Sequence, residues 1–361
     1  MSHAFAMILA GGSGTRFWPA SRALRPKQVL ALGGSELPLI AQTARRIEAL
    51  CPAERAVVAT GRALVEVTQQ ALPWFAPDAF LAEPVARNTA ACIGWASSLI
   101  HRRDPEAVIA ALPSDHLIAD EAAFRGAVEQ AFAVAEDGTI VTLGIKPDRP
   151  ETGYGYIEAG SALSRGVHKV QRFVEKPDRA KAEEYLASGR YFWNSGMFFF
   201  RADAMLRAIQ KHMPALASGL ERIERAAERG AETERRETKQ VFEALESVSI
   251  DYGIMERVEK LAVIPADIGW SDLGSWHSVW ELGGKDARGN AGKALTVFVD
   301  GDRNLVEDLR SPGATPRVVA LCGVSDLCVV QTDDALLIIP RERAQDVRKI
   351  VEELKRRGGP V

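Results

Sequence analysis

The sequence predicts an α/β protein: a mixed, mostly parallel sheet with flanking helices, followed by a small β-rich appendage. Short β-type runs alternate with amphipathic helical stretches through the first half, the signature of a sheet with crossover helices. At 361 residues and 47% hydrophobic, the chain exceeds what one core usually holds. Its texture also changes after about Gly283, where Gly283-Gly284, Gly289 and Gly292 punctuate a linker. Residues 1–284 are therefore expected to form one large domain and residues 285–361 a small β-rich one with a terminal helix.

In chain order, strands are expected at Phe5 to Ala10, Ala56 to Thr60, Ala107 to Leu112 and Thr139 to Gly144. Helices are expected from Leu39 to Leu50, Leu64 to Leu72, Thr89 to His101 and Glu121 to Ala135. Strands dominate from Tyr154 to Phe200, interrupted by one helix near Pro177, as in a sheet extension built around a pocket. Charged helices fill 203–246, with Glu221 to Arg236 a solvated face carrying i,i+4 pairs. In the tail, Thr296 to Val299, Cys328 to Val330 and a run read as buried, Ala335 to Pro340, indicate a β appendage of coiled type. A helix from about Arg343 to Lys355 closes the chain.

The net charge of −3 argues against a surface built for nucleic acid. Cys51, Cys92, Cys322 and Cys328 show neither CxxC pairing nor metal-ligand spacing and read as reduced thiols. No stretch approaches the roughly 18 apolar residues of a membrane span, and no charged segment precedes the first apolar run. A cytoplasmic protein with no membrane or nucleic-acid partner is expected.

The apolar run Ala6-Met7-Ile8-Leu9-Ala10 empties into Gly11-Gly12-Ser13-Gly14-Thr15-Arg16, with Arg22, Arg25 and Lys27 close behind and no acidic residue before Glu36. A strand followed by a glycine-rich turn lets backbone N–H groups approach an anion. Walker A is excluded because Thr15-Arg16 stands where Lys-Ser/Thr is required. The dinucleotide fingerprint fails at Phe17, which occupies the place of the third small residue. What remains is a long irregular loop around a triphosphate, with Arg16 and Lys27 as charged donors. The nucleotide-binding set read from this stretch is Leu9, Gly11, Gly12, Gly14, Thr15, Arg16 and Lys27.

Further candidates lie downstream, two of them at strand ends. Ser114-Asp115-His116 follows a buried run, and Asp115 there is either a Mg²⁺ ligand or a helix cap. Asp272, within Trp270-Ser271-Asp272-Leu273-Gly274-Ser275-Trp276, is a second such carboxylate, or the cap of a helix beginning near Ser275. Phe173-Val174-Glu175-Lys176-Pro177 offers Lys176 for a phosphate and Glu175 for sugar hydroxyls. In a continuing strand those two side chains point to opposite faces. Gly155 and Asn194 sit in aromatic surroundings suited to a sugar, Tyr154-Gly155-Tyr156 and Trp193-Asn194-Ser195. In Glu83-Pro84-Val85-Ala86-Arg87-Asn88-Thr89, Glu83 is a candidate acceptor for the two adjacent donors of guanine, and Asn88 or Thr89 a helix cap.

Eight segments, GGSGTRFWPASRALRPKQ, EPVARNTA, LPSDH, TGYGYI, FVEKP, FWNSGMF, SIDYGIME and WSDLGSW, follow the order found in mannose-1-phosphate guanylyltransferases, and over residues 5 to 282 the chain strongly resembles that nucleotidyltransferase family. Phe17 and Ala20 replace frequent leucines, and Ala91 a frequent proline. The resemblance implies a Rossmann-like sheet domain and a short left-handed β-helix. It implies GTP and α-D-mannose 1-phosphate as substrates, GDP-mannose and pyrophosphate as products, Mg²⁺ as cofactor and a homo-oligomer, most simply a dimer. It assigns catalysis to Arg16, Lys27, Asp115, Lys176 and Asp272, with Asp115 and Asp272 as metal ligands. The nucleotide set then gains Glu83, Asn88, Thr89, Ser114 and Asp115, while Gly155, Glu175, Lys176, Asn194 and Asp251 take the sugar phosphate. The alternatives are a pyrophosphorylase for another base or sugar, and a non-catalytic GDP-mannose-binding homologue.

Overall fold

The first apolar run buries both of its faces, which fixes the layering around it. In the computed structural model, which describes residues 3–12, 14–292, 295–311, 313–359 and 361, the chain divides into two compact units. One takes the chain up to Gly11, Thr43–Ser114 and Ile118–Trp270; the other takes Gly12–Gln42, Asp115–Leu117 and Ser271–Val361. Ser13 of the glycine-rich loop lies outside the described residues.

The elements up to the middle of the chain are β1 (Ala4–Ala10), α1 (Leu39–Ile47), β2 (Ala56–Gly61), α2 (Val65–Ala71), β3 (Phe80–Glu83), α3 (Asn88–Arg103), β4 (Val108–Pro113), β5 (Leu117–Ile118) and α4 (Glu121–Ala135). They continue as β6 (Ile140–Ile145), β7 (Tyr156–Ser164), β8 (Val167–Val174), α5 (Arg179–Ser188), β9 (Tyr191–Arg201), α6 (Ala202–His212), α7 (Pro214–Ala227), α8 (Ala231–Ala244) and β10 (Leu261–Pro265). Nine strands form one sheet in the order β3-β2-β1-β4-β9-β6-β10-β8-β7. Only β8 and β9 run against the other seven, so the sheet is mixed and mostly parallel. β3 has no counterpart in the sequence reading, because four residues carry too little period to register.

Alternate residues of β1 feed two different cores, as a strand of period two must. Phe5 and Met7 join residues of α3, α6, α7 and α8, whereas Ala4 and Ala6 join Phe124, Val128 and Ala131 of α4. Helices thus cover both faces, the arrangement expected of strands that are apolar throughout. β1 sits between β2 and β4, so the chain leaves it to one side and returns on the other. The carboxyl ends at such a switch point are where open sheets bind ligands, and there the Ser114 N–H donates to the Leu9 carbonyl at 3.1 Å.

In the second unit, Ala291–Gly292, Leu305–Asp308 and Leu327–Gln331 stack in parallel, and Thr296–Val299 stacks on Val319–Cys322. This is a coil of parallel rungs, and Asn290 and Asn304 run through it as a buried ladder. Asn304 Nδ2 donates to Asn290 Oδ1 at 3.1 Å and to the Val324 carbonyl at 3.0 Å, while Asn304 Oδ1 accepts the Leu327 N–H at 3.0 Å. Leu336–Pro340 pairs antiparallel with the last rung. The expectation of a buried strand there needs correction: Leu336 and Ile338 are 57% and 60% exposed, because this edge strand has only one face on the core. The closing helices are α9 (Trp276–Leu282) and α10 (Val347–Arg356).

Candidate functional site

Two cavities gather nearly all the chemistry, one in each unit. The first, in the second unit, begins with the basic loop. Short 3-10 turns at Thr15–Phe17 and Lys27–Val29 give it shape, and its aromatic residues give it an anchor. Phe17 meets Trp276 edge to face at 5.0 Å, and the Trp276 indole N–H donates to the Trp18 carbonyl at 3.1 Å. The segments FWP and WSDLGSW therefore fold as one piece.

Gly14 lies at φ +56, and a Cβ there would stand 2.7 Å from the Lys27 nitrogen and 2.5 Å from its Cβ. Only glycine permits that approach. It seats Lys27, whose side chain is 7% exposed and whose ammonium donates to Asp115 Oδ2 at 2.8 Å and to the Asp272 carbonyl. A buried ammonium requires such partners. Burial works to raise the Asp115 pKa, but the charges of Lys27 and His116 and the Lys27 hydrogen bond outweigh it and hold the carboxyl below its ordinary value. The Asp272 carboxylate lies 3.2 Å from where a Gly274 Cβ would be, so glycine again makes the room. Between them Leu273, buried, adopts the left-handed φ of +45, an uncommon conformation for a bulky residue.

These groups line a cavity of about 300 Å³ together with Thr15, Arg16, His116 and Arg348. Neither aspartate caps a helix: Asp120 caps α4, accepting the Ala123 N–H at 2.9 Å, and Ser275 stands at the N-cap of α9. Two carboxylates beside cationic donors suit a polyphosphate with a hard divalent ion. Among the described residues no cluster of three or more His, Cys, Asp or Glu could hold a metal, so such an ion would draw its other ligands from phosphate or water. Gly11 and Gly12 both face open space.

The second cavity, about 370 Å³, lies in the first unit and is lined by Asn88, Thr89, Glu175, Lys176, Ser247, Val248, Ser249, Asp251 and Tyr252. Here β8 has ended at Val174, and Lys176 turns back at φ +48, so the two adjacent side chains meet instead of diverging. The Lys176 ammonium donates to Glu175 Oε1. Burial works against the lysine's charge, and the Glu175 carboxylate more than compensates, leaving the Lys176 pKa above its ordinary value. Glu175 occupies the space a Gly155 side chain would fill: a Cβ at Gly155 would be 2.5 Å from Glu175 Oε2 and 3.3 Å from the Asn194 Cβ.

Asn194 is held at every polar atom of its side chain. Its Oδ1 accepts the Gly196 N–H at 3.1 Å and the Thr142 hydroxyl at 3.3 Å, and its Nδ2 donates to Asp251 Oδ1 at 2.9 Å. Asp251 opens a π-turn over Asp251–Met255, a device frequent at functional sites. Burial and then the Glu175 charge push its carboxyl up to about 6, against the pull of Lys176 and Asn194. Thr89 accepts the Ile250 N–H on its hydroxyl at 2.8 Å, tying the start of α3 to this turn.

Asn88 and Thr89, expected at the nucleotide, thus line the same cavity as Lys176 and Asp251. Glu83 is buried at the end of β3, where burial raises its carboxyl to about 7 against a hydrogen bond with the Cys92 thiol. Sequence reasoning passed over Arg348, Ser247, Ser249 and Tyr252, and took His116, which lines the first cavity, for a structural neighbour. The serines and tyrosine lie in or beside SIDYGIME, which offered a signal, whereas Arg348 sits in a helix read only as closing the chain.

A family model described as nucleotidyl transferase matches residues 5–289, and one described as MannoseP isomerase/GMP-like beta-helix domain matches residues 296–354. Xanthan biosynthesis protein XanB of Xanthomonas campestris pv. campestris (strain B100) is 41% identical, over 99% of this chain and 74% of its own length. Mannose-1-phosphate guanylyltransferase of Escherichia coli (strain K12) is 39% identical with the same coverage of both chains. The crystal structure of mannose-1-phosphate geranyltransferase from Thermus thermophilus is similar with a TM-score of 0.86 and 33% identity, covering 98% of this chain and 99% of that one.

Proposed function

We propose that this chain, which belongs to the nucleotidyl transferase family, transfers GMP from GTP to α-D-mannose 1-phosphate, giving GDP-mannose and pyrophosphate. The observation that carries this reading is the first cavity, where one buried lysine ties an ionised Asp115 to the Asp272 backbone beside Arg16. The reaction is an in-line displacement: an oxygen of the sugar phosphate bonds the α-phosphorus of GTP as the bond from that phosphorus to the β-bridging oxygen breaks. The electron pair leaves with pyrophosphate. A phosphate monoester is anionic at neutral pH, so no strong base is required, and catalysis is positioning plus charge neutralisation.

Arg16 and Lys27 neutralise the departing pyrophosphate in this assignment, and the N–H groups around Leu9, Gly11, Gly12, Gly14 and Thr15 cradle phosphate. Asp115 and Asp272, both hard oxygen donors, would hold Mg²⁺, which supplies charge neutralisation on the phosphates when bound. Glu83, Asn88, Thr89 and Ser114 serve the nucleoside. Lys176 holds the phosphate of the sugar; Gly155, Glu175 and Asn194 contact its ring, and Asp251 fixes Asn194.

We further assign the protein to the cytoplasm as a homodimer. Free cysteines at Cys51, Cys92, Cys322 and Cys328 fit a reducing compartment, and among the described residues no helix is long and apolar enough to cross a membrane. The exposed Val297, Val299, Leu336 and Ile338 offer apolar surface for a second copy. Pyrophosphate release measured over a panel of nucleoside triphosphates and sugar 1-phosphates tests the function: GTP with mannose 1-phosphate is expected to give the highest kcat/KM. Preference for another pair, or GDP-mannose binding with no turnover, overturns it.

A further inference from the structure

We infer that Arg348, on the helix that closes the chain, binds the diphosphate end of the nucleoside triphosphate; this rests on reading the first cavity as a phosphate site. Helix α10 is fastened by its apolar face. Val347 and Val351 are buried, with Ile350 and Leu354 packed alongside, in the same core that holds Phe17 and Trp276. The helix packs against the Thr15–Phe17 turn of the basic loop, and Arg348, next to the fully buried Val347, lines the cavity with Arg16, Lys27, Asp115 and Asp272.

Three other cations on or flanking this helix are held by carboxylates. Lys349 pairs with Asp346 at 2.8 Å, and Arg356 and Arg357 pair with Glu353 at 2.5 and 2.6 Å. Among the described residues, no carboxylate holds Arg348. Lys27, by contrast, is engaged before any ligand arrives, one donor on Asp115 and one on the Asp272 carbonyl. Its charge is largely used in holding the two acidic residues in place, so an incoming polyphosphate needs further positive charge from the wall. A guanidinium supplies that charge in a planar fork that matches two phosphate oxygens at once. Arg348 falls within the segment matched by the beta-helix family model, residues 296–354. The appendage therefore contributes a ligand to the nucleotide.

Calorimetric titration of the full chain with inorganic pyrophosphate in the presence of Mg²⁺ tests this. Arg348→Ala is expected to weaken pyrophosphate about tenfold, the worth of one exposed charge-assisted hydrogen bond, and to raise the KM for GTP by a similar factor. The KM for mannose 1-phosphate is expected to stay constant. Arg348→Lys retains part of the affinity, and Lys349→Ala, which removes an exposed neighbour, retains all of it. Should Arg348→Ala melt early, Arg348→Gln, which keeps most of the stem, decides. A folded Arg348→Ala or Arg348→Gln with wild-type pyrophosphate affinity overturns the inference alone. A wild-type protein that binds no pyrophosphate overturns the reading of the cavity, and the inference with it.

Discussion

Gly155→Ala should separate binding from folding in the second cavity. The added Cβ would stand 2.5 Å from Glu175 Oε2, where ordinary contact begins near 3.4 Å, so the carboxylate has to withdraw by about 0.9 Å. The second neighbour, the Asn194 Cβ at 3.3 Å, is nearly tolerant. What yields is the far end of a flexible side chain, so the folded state loses little. Alanine also narrows the unfolded ensemble, which returns about 0.4–1 kcal/mol. The melting temperature should therefore move by only a few degrees. Glu175 is 8% exposed, and a withdrawal of that size takes it off its partner Lys176 and away from the place proposed for sugar hydroxyls. Losing one charged hydrogen bond is worth about 1.5–3 kcal/mol, or about ten- to a hundredfold in affinity. Initial rates of pyrophosphate release against mannose 1-phosphate should show the KM rising by that factor, with the KM for GTP unchanged. A folded Gly155→Ala with wild-type KM for the sugar phosphate would refute the reasoning.

The two aspartates should behave differently. Asp272→Asn is expected to lower kcat at least about a hundredfold and raise the Mg²⁺ requirement while leaving Lys27 paired, because Lys27 takes the backbone carbonyl there, not the carboxylate. Asp115→Asn should also lose activity and additionally cost about 1–3 kcal/mol, since it unpairs a buried ammonium; equal melting of both variants would argue against the assigned bridge. Asp251 sets a pH signature: its folded pKa, about 6, is raised, so its contribution to stability is complete below the unfolded value of about 3.9 and is lost as pH rises through 6. Denaturant unfolding between pH 4 and pH 8 should show a decline that is smaller by up to about 3 kcal/mol in Asp251→Asn, the remainder belonging to groups such as Glu83, whose carboxyl is raised to about 7, and an unchanged slope would exclude Asp251 as a source. Asn304→Ala leaves the Leu327 N–H and the Val324 carbonyl without their buried partner and should cost about 2–4 kcal/mol in a melting experiment, whereas a loss below about 1 kcal/mol would mean the ladder is not what holds the rungs.

Most of the sheet was legible because its strands are apolar on both faces and its helices long. The end of an apolar run likewise pointed to Asp115, and a setting of glycine, serine and two tryptophans to Asp272. Three things escaped. β3 is too short to show a period, and the exposure of Leu336 and Ile338 depends on which face of an edge strand meets the core. The turn at Lys176 is a matter of one backbone angle, φ +48, which no composition encodes, and it is that angle that lets Glu175 and Lys176 pair. Arg348 was invisible for a different reason: a surface arginine on an amphipathic helix looks the same whether it faces bulk water or a cavity.

The way the first cavity is laid out along the chain has a consequence during synthesis. Lys27 and the Asp272 carbonyl that it holds are 245 residues apart, and Trp276 lies 258 residues beyond the carbonyl it caps at Trp18. At a translation rate of about 5–20 residues per second, the basic loop waits roughly 12–50 s after emerging before these two distant partners exist. Through that interval Phe17 and Trp18 lack the Trp276 ring and indole that seat them, and Lys27 has Asp115, 88 residues on, but not the Asp272 carbonyl. The basic loop is thus among the last parts to fold, and a nascent chain interrupted anywhere before α9 presents an apolar, cationic loop to whatever chaperone or polyanion it meets.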